Sequence, residues 1–408
     1  MLTLDEALER LLAAVAPLPA SEHETLSTFD ALSRVLQHDL RSTLDVPPQD
    51  NTSMDGYALR CADVPVAGVI LPVSQRIPAG VVGAPLAPGT AARIFTGAQV
   101  PAGADAVVMQ EQCEQVPQGR GENVRVNVVP NAGQWIRRRG EDVRDGQVVL
   151  AAGTRLTPQA LGLAATVGAA TLTVARRPRV ALFSTGDELA MPGEALKPGA
   201  IYNSNRYTLR SAIKALGCDC TDLGIVPDQL DATRDALRRA AQGHDLIVTS
   251  GGVSVGEEDH LRPAVQAEGR IGLWQIAIKP GKPLAFGEVR RGDGSSAYIV
   301  GLPGNPVSSF ITFVLMVRPV LLRLQGATVL APTRTPMRAD FDWPRPDKRR
   351  EFLRARRNAA GGLELFANQS SGVLTSVVWG DGVVDNPPGH AIGSGDTVEF
   401  IAFAEWLS

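Results

Sequence analysis

The sequence predicts an α/β multidomain protein, and three observations point there. Apolar β runs alternate with helical segments from Pro178 to Gly326, which implies a parallel sheet covered on both faces. From about residue 45 to 145 the composition turns β-like, with short runs such as "AVVMQ" and "NVRVNVV" broken by Gly and Pro, as in a small β domain. Past Gly326 the helix signals stop, and residues 327 to 408 alternate short β runs with turns such as "GDG", "NPPG" and "GSGD". At 408 residues the chain is too long for one ordinary core, and length alone suggests about two to four domains.

The elements follow in order. "MLTLDEALERLLAAVAPL" reads as an amphipathic helix, with Thr3 and Glu6 spaced as a capping box and acids where a signal peptide carries its basic region. "QDNTSMDGYALR" places Asp55-Gly56 between two apolar runs, a strong hairpin-turn signal because both residues tolerate positive φ. Asp55 is then either a turn former or a carboxylate held out to meet a metal or a phosphate. "TPQALGLAATVGAA" reads as a helix entered at Thr157-Pro158. Strand "RVALFS" leads to helix "NSNRYTLRSAIKALG", capped by Asn203 or Ser204 and stopped by Gly217. "TDLGIV" leads to "QLDATRDALRRAAQG", and "DLIVTSGG" to "EDHLRPAVQAEG". "SAYIVGLPG" leads to "NPVSSFITFVLMV", which Asn305 can cap with Pro306 at the first helical position.

Composition narrows the function. Hydrophobic content of 44% and charged content of 20% are ordinary for a soluble globular protein. A net charge of −3 argues against coating nucleic acid or an anionic membrane. No run approaching ~20 apolar residues is expected to cross a bilayer; "ALGLAATVGAATLTVA" is mostly Ala, Gly and Thr. Cys61, Cys113, Cys218 and Cys220 are badly spaced for a disulfide framework or a zinc site, so a cytoplasmic, reducing setting is expected. A nucleophile triad is not expected, since no histidine has an obvious serine or cysteine partner.

Four loops after the expected strands carry the chemistry. "STGDEL" offers Asp187 and Glu188, "IVPDQ" offers Asp228, and "TSGGVSVGEEDH" offers Ser250, Gly251, Gly252 and then Glu257, Glu258 and Asp259. "GLPGNP", with Asn305 and Pro306, closes the set. Glycines there let backbone N–H groups approach a phosphate, and a following helix N-terminus favours negative charge. Carboxylates from several strand ends could hold Mg²⁺, which takes one or two carboxylates plus water and phosphate oxygens. Each acid alone is as well explained by helix capping. Such sheets bind ligands at the carboxyl ends of their strands. "WQIAIKPGKPLAFG" adds Lys279 and Lys282 on a Pro/Gly-stiffened turn suited to an oxyanion. "WIRRRGEDV" and "RPDKRREFLRARR", the latter with seven basic residues against two acids, are basic stretches that suit an anionic ligand. No aromatic platform interleaves them as single-strand binding needs.

Read in order, "NTSMDGYA", "RIFTGAQVPAGADAVVMQE", "RRRGEDV", "STGDEL", "TSGGVSVGEEDH", "IKPGKP" and "GLPGNPVSSF" resemble the signature segments of the MoeA family. These are molybdopterin molybdenumtransferases of molybdenum cofactor biosynthesis, related to the C-terminal part of gephyrin. The resemblance covers essentially the whole chain. It implies an extended helical domain from residues 1–45 and 143–177, an inserted β domain at 46–142, a MogA-like α/β domain at 178–326 and a C-terminal β barrel at 327–408. It also implies a cytoplasmic homodimer whose site lies between the α/β domain of one subunit and the inserted β domain of the other. The substrates implied are adenylylated molybdopterin and molybdate, with Mg²⁺-dependent release of AMP. Contacts with the adenylyltransferase and other cofactor-pathway proteins are implied too, and neither nucleic acid nor membrane.

Carried onto this chain, the resemblance implies Asp187, Glu188, Asp228 and Asp259 at the metal and phosphate edge, with Glu188, Asp228 and Asp259 as the metal set. Ser250, Gly251 and Gly252 would contact the pterin or a phosphate, with Asn305 and Pro306 alongside as substrate-binding positions. Asp55, Thr96 and Asp142 would arrive from the second subunit, and Lys279, Lys282, Arg350 and Ser371 would serve molybdate and phosphate. Gln275 stands where some relatives carry a basic residue. The thiolates that receive molybdenum belong to the substrate, so no cysteine site is required. A MogA-type adenylyltransferase is a rival, but it carries a different third loop and lacks the flanking β domains. A gephyrin-like scaffold would need further linker sequence, and a cyclic-nucleotide or sugar-phosphate binder leaves the inserted domain unexplained.

Overall fold

The computed structural model describes residues 1–117, 121–253 and 260–407. The chain forms two compact units, one of Asp39–Ala151 with Pro158–Thr171, the other of Met1–His38, Ala152–Thr157 and Leu172–Ser408.

The first unit is built on a six-stranded sheet. Its strands are β1 (Gly56–Leu59), β2 (Val69–Ile77), β3 (Ala91–Ile94), β4 (Ala106–Met109), β5 (Cys113–Pro117) and β6 (Glu122–Val126). They run in the order β4-β1-β3-β2-β6-β5, and only β2 and β3 pair in parallel. Alternation along β1 sends Tyr57 and Leu59 to one apolar cluster and Ala58 to another. The Asp-Gly hairpin expected at Asp55-Gly56 does not form. Neither residue has positive φ, and β1 pairs with β3 and β4, whereas Asn51–Thr52 pairs with Ile136–Arg137. Gly56 is required for a different reason: a Cβ there would lie 2.0 Å from the Val108 carbonyl oxygen on β4. Helix α2 (Pro158–Thr166) starts at the expected proline.

The second unit centres on a mixed sheet. Its strands are β7 (Arg179–Thr185), β8 (Asp219–Val226), β9 (Leu246–Ser250), β10 (Gly269–Gln275), β11 (Pro283–Arg290) and β12 (Ser296–Leu302), in the order β8-β7-β9-β12-β11-β10. β8, β7, β9 and β12 are parallel, as expected; β11 and β10 extend the sheet antiparallel. They flank the Pro280-Gly281 turn expected between Lys279 and Lys282, with Ile278–Lys279 leaving to pair with another strand. Gly269 on β10 and Gly287 on β11 are sites of close strand approach. Cβ atoms there would meet the Glu288 and Arg270 carbonyl oxygens at 1.8 and 2.2 Å.

Both faces of the sheet are buried. Val180 and Leu182 of β7 face one cluster, Ala181 and Phe183 the other. Helix α1 (Leu4–Ala14) carries the expected Thr3–Glu6 capping box and packs Leu4, Ala7 and Leu11 into the first cluster. Helix α3 (Ser204–Ala215) is capped by Asn203, whose side chain accepts the Arg206 N–H, and ends before Gly217 at φ +76°. Helices α4 (Leu230–Ala241) and α5 (Leu261–Glu268) cover the opposite face. Helix α6 (Pro306–Leu324) is π-helical over Phe313–Val317 and runs about two turns past its expected end at Val317. At 19 residues and mean hydropathy 1.7 it is apolar enough to cross a bilayer, against the expectation of no such segment. With 94% of it buried inside this unit, it is a core helix.

The C-terminal sheet comprises β13 (Thr335–Arg338), β14 (Arg350–Arg357), β15 (Leu363–Leu365), β16 (Gly382–Asn386) and β17 (Thr397–Ala402). The path is Ile278–Lys279, β14, β16, β17, β13, with β15 on β14. Short helices Thr375–Trp379 and Phe403–Leu407 correct the expectation that helices stop at Gly326.

Candidate active site

The parallel strands determine where a site can form. From β7 the chain passes to β8 on one side and to β9 on the other, so the order reverses between β7 and β9. Side chains and loops diverge at such a point and leave a crevice at the carboxyl ends. A cavity of about 490 Å³ lies there, walled by Thr185, Glu188, Asp228, Ser250, Gly251 and Asn305.

Each wall has a local cause. β7 ends in Thr185-Gly186, and Gly186, at φ +143°, lies beneath the Glu188 carboxylate, which a Cβ would meet at 2.6 Å. β9 ends in Ser250, whose hydroxyl is buried and 3.0 Å from that of Ser184. Gly251 turns the chain at φ +90°, donates its N–H to Leu302 O at 3.1 Å, and leaves no room for a Cβ, which would lie 2.5 Å from Thr185 O. Gly252 follows at φ +66°. Beyond β12, the Asn205 amide donates to Gly304 O at 2.7 Å and holds the loop that leads into α6.

The cavity is acidic on one side. The Asp228 N–H donates to Asp187 Oδ1 at 3.2 Å. Burial first, with the nearby carboxylates of Asp187 and Glu188, pushes the Asp228 carboxyl above the usual range, against a backbone hydrogen bond from Asp187 and the charge of His260. These are hard oxygen donors of the kind Mg²⁺ takes together with water and phosphate oxygens. Among the described residues no three His, Cys, Asp or Glu side chains converge as a metal cluster. Asp259 lies outside the described residues, as do Glu257 and Glu258. The other side offers hydroxyl and amide groups, and the buried Thr185 Oγ1 has no hydrogen-bond partner among the described residues.

The structure therefore brings together Glu188, Asp228, Ser250, Gly251, Gly252 and Asn305, with Asp187 beside them. It does not place Lys279, Arg350 or Ser371 on the cavity wall. The Lys279 ammonium sits 3.2 Å from buried Glu351 and 3.4 Å from Asp347. Arg350 forms a two-pronged pair with Asp385, at 2.6 and 2.7 Å, and reaches Asp5 at 3.1 Å. The basic stretch around them is thus a strand whose charges are largely paired, with the outward end Arg356–Arg357 exposed. Lys282 is exposed next to Pro283, which lines the cavity, and Pro306 opens α6. Ser371 contributes its carbonyl oxygen to Val307 N–H at 2.9 Å.

In the other unit, Asp55 Oδ1 accepts the Thr96 N–H at 2.8 Å and its hydroxyl at 2.7 Å, and these bonds hold the exposed carboxyl below its usual range. Asp142 is exposed, its N–H donated to Val46 O at 3.0 Å. The sequence offers no clear signal for Thr185, Asn205 and Ser308, which also line the cavity: a strand terminus, a helix turn and an apolar helix hide them. Gly252-Val253-Ser254-Val255-Gly256 has the G-x-S-x-G spacing of a nucleophile elbow, and Ser254 lies outside the described residues.

Comparison with known proteins agrees along the chain. Residues 2–168 match the MoeA N-terminal region (domains I and II), 181–323 a probable molybdopterin binding domain, and 336–403 the MoeA C-terminal region (domain IV). A molybdopterin molybdenumtransferase of Haemophilus influenzae is 40% identical over 326 residues, 80% of this chain and 78% of the relative. One of Nostoc sp. is 35% identical over 389 residues, 92% of this chain and 87% of the relative. The solved molybdopterin biosynthesis MoeA protein of Pyrococcus horikoshii superposes with a TM-score of 0.83 at 26% identity, covering 99% of this chain and 100% of that one. Matched in order from its first helix to its last strand, the chain belongs to the MoeA family.

Proposed function

We propose that this protein is a molybdopterin molybdenumtransferase that uses the cavity at the ends of β7 and β9 to bind adenylylated molybdopterin, transfers molybdenum from molybdate to it and releases AMP. The observation that carries the proposal is the pairing of a two-glycine turn, Gly251-Gly252, with the Glu188 and Asp228 carboxylates on one cavity wall. Backbone N–H groups and hydroxyls suit phosphate oxygens, while carboxylates suit the cation that phosphate brings with it. Cleaving a phosphoanhydride mainly needs charge neutralisation and positioning. Glu188 and Asp228 would hold Mg²⁺, whose chemistry there is to neutralise phosphate charge. Ser250, Thr185 and Asn305 orient the ligand, and the exposed Lys282 offers a cation at the rim.

The same proposal includes a homodimer in which Asp55, Thr96 and Asp142 act from the second subunit, a cytoplasmic setting, contacts with the adenylyltransferase, and the four-domain division ending in a barrel. Lys279, Arg350 and Ser371 serve molybdate in this proposal, and Lys279 and Arg350 do so by exchanging a carboxylate partner for the oxyanion. Purified protein given adenylylated molybdopterin, Mg²⁺ and molybdate releases AMP, measured by chromatography. A folded protein that releases none from authentic substrate would overturn the assignment.

A further inference from the structure

Arg354, on β14, is 1% exposed, yet among the described residues its guanidinium donates only to neutral oxygens: Ser376 Oγ at 3.1 Å, Phe352 O at 3.1 Å and Ser370 O at 3.3 Å. No hydrogen bond or ion pair joins it to a carboxylate among the described residues, and burial pulls its pKa down to about 10. An unpaired buried cation carries a desolvation cost that neutral oxygens offset only in part. A hydrophobic side chain would fill the same space without that cost, so the arrangement calls for a reason beyond packing.

The guanidinium ties the segment 366–376 at two points, Ser370 O and Ser376 Oγ. The Arg354 backbone adds its own hold: Gln369 Oε1 accepts the backbone N–H of Arg354 at 2.9 Å, and the Gln369 amide donates to the carbonyls of Arg354 and Phe366, each at 2.9 Å. The Ser376 hydroxyl donates onward to Val373 O at 2.7 Å. This fixed segment presents the Ser371 carbonyl to the N–H of Val307, the second residue of α6, at 2.9 Å. That N–H is one an N-cap side chain ordinarily accepts. Asn305 occupies the N-cap position but makes no capping bond, and it lines the cavity instead.

We propose that Arg354 is a positioning residue for the cavity: by holding Ser370 and Ser371 it caps α6 from outside the helix and leaves the Asn305 amide free for the ligand. The proposal rests on the cavity being the substrate site. Arg354→Met and Arg354→Lys are compared with the unmodified protein in the AMP-release assay at saturating Mg²⁺ and molybdate. Losing a charge-assisted hold raises KM for adenylylated molybdopterin roughly tenfold or more while kcat stays within about threefold, and lysine restores part of the loss. Asn305→Ala then adds little to Arg354→Met, because the amide is already drawn back into capping, a non-additivity that simple destabilisation does not produce.

An unchanged KM in folded Arg354→Met, an additive double variant, or a loss that only tracks the folded fraction by circular dichroism overturns the proposal. Should Arg354→Met fail to fold, the same cycle with Arg354→Lys decides it. If the unmodified protein releases no AMP, the transferase reading falls instead. The cap is then read from the Val307 amide, whose hydrogen exchange Arg354→Lys accelerates if the hold is real and leaves unchanged if it is not.

Discussion

Replacing Gly251 by alanine separates two costs that the cavity turn imposes. The first is conformational: at φ +90° an L-residue loses about 1–2 kcal/mol relative to glycine. The second is steric, since the new Cβ lies 2.5 Å from Thr185 O, an atom of the buried β7 backbone that cannot swing away. Overpacking of this kind costs about 1–3 kcal/mol. Gly294 supplies the control: it has φ +84° in the turn between β11 and β12, and a Cβ there meets nothing within 4 Å. Gly294→Ala therefore loses only the conformational part. Gly251→Ala is less stable than that control by about 1–3 kcal/mol, roughly a 5- to 160-fold difference in the unfolding equilibrium. Urea denaturation followed by circular dichroism measures both, with equal m-values as the condition for comparison. AMP release falls further in Gly251→Ala than stability explains, because the turn that would meet phosphate has moved. Equal stability of the two variants, with activity retained, would refute the steric reasoning.

Other perturbations test neighbouring steps. Thr96→Val removes the hydroxyl that accompanies the Thr96 N–H in holding Asp55 down, so the Asp55 midpoint rises, read by carbon-13 NMR. A depressed carboxyl contributes stability above its unfolded pKa and loses it as pH falls through the folded value, so the variant loses that contribution at a less acid pH than the unmodified protein. An unmoved midpoint would show that the backbone N–H alone sets the shift. Gly56→Ala drives a Cβ to 2.0 Å from Val108 O and is expected to cost more than about 4 kcal/mol, visible as lost soluble yield. A variant within about 1 kcal/mol of the parent, as a simple turn glycine allows, would contradict the strand-approach account. Asp55→Ala and Glu188→Ala chains, each inactive alone, regain about a quarter of the activity when mixed and refolded together if the site is shared across a two-fold dimer. No recovery, with mixed dimers demonstrated, would confine the site to one chain.

Elements with a local signature were legible before any tertiary contact was known. The Thr3–Glu6 capping box, the Asn203 cap, the Gly217 stop and the proline at the head of α6 each act within four residues, so the sequence alone determined those helix ends. The alternation of apolar strands and helices determined four parallel strands, and with them a ligand edge where Glu188, Asp228, Ser250 and Gly251 do meet. The resemblance of seven segments carried the family for the same reason, because motif residues are read one position at a time.

Tertiary structure alone decided what depends on residues far along the chain. Gly56 looks like a turn former and Gly269 like the end of a helix until Val108 and Glu288 come up against them across a strand pair. Lys279 and Arg350 look like free cations until Glu351 and Asp385 pair with them. Asn305 looks like a helix cap until the Ser371 carbonyl, held by a buried arginine, takes over the capping and leaves its amide to the cavity. In each case the deciding partner lies between about 20 and 75 residues away, where propensity carries no information and only the packed backbone supplies the contact.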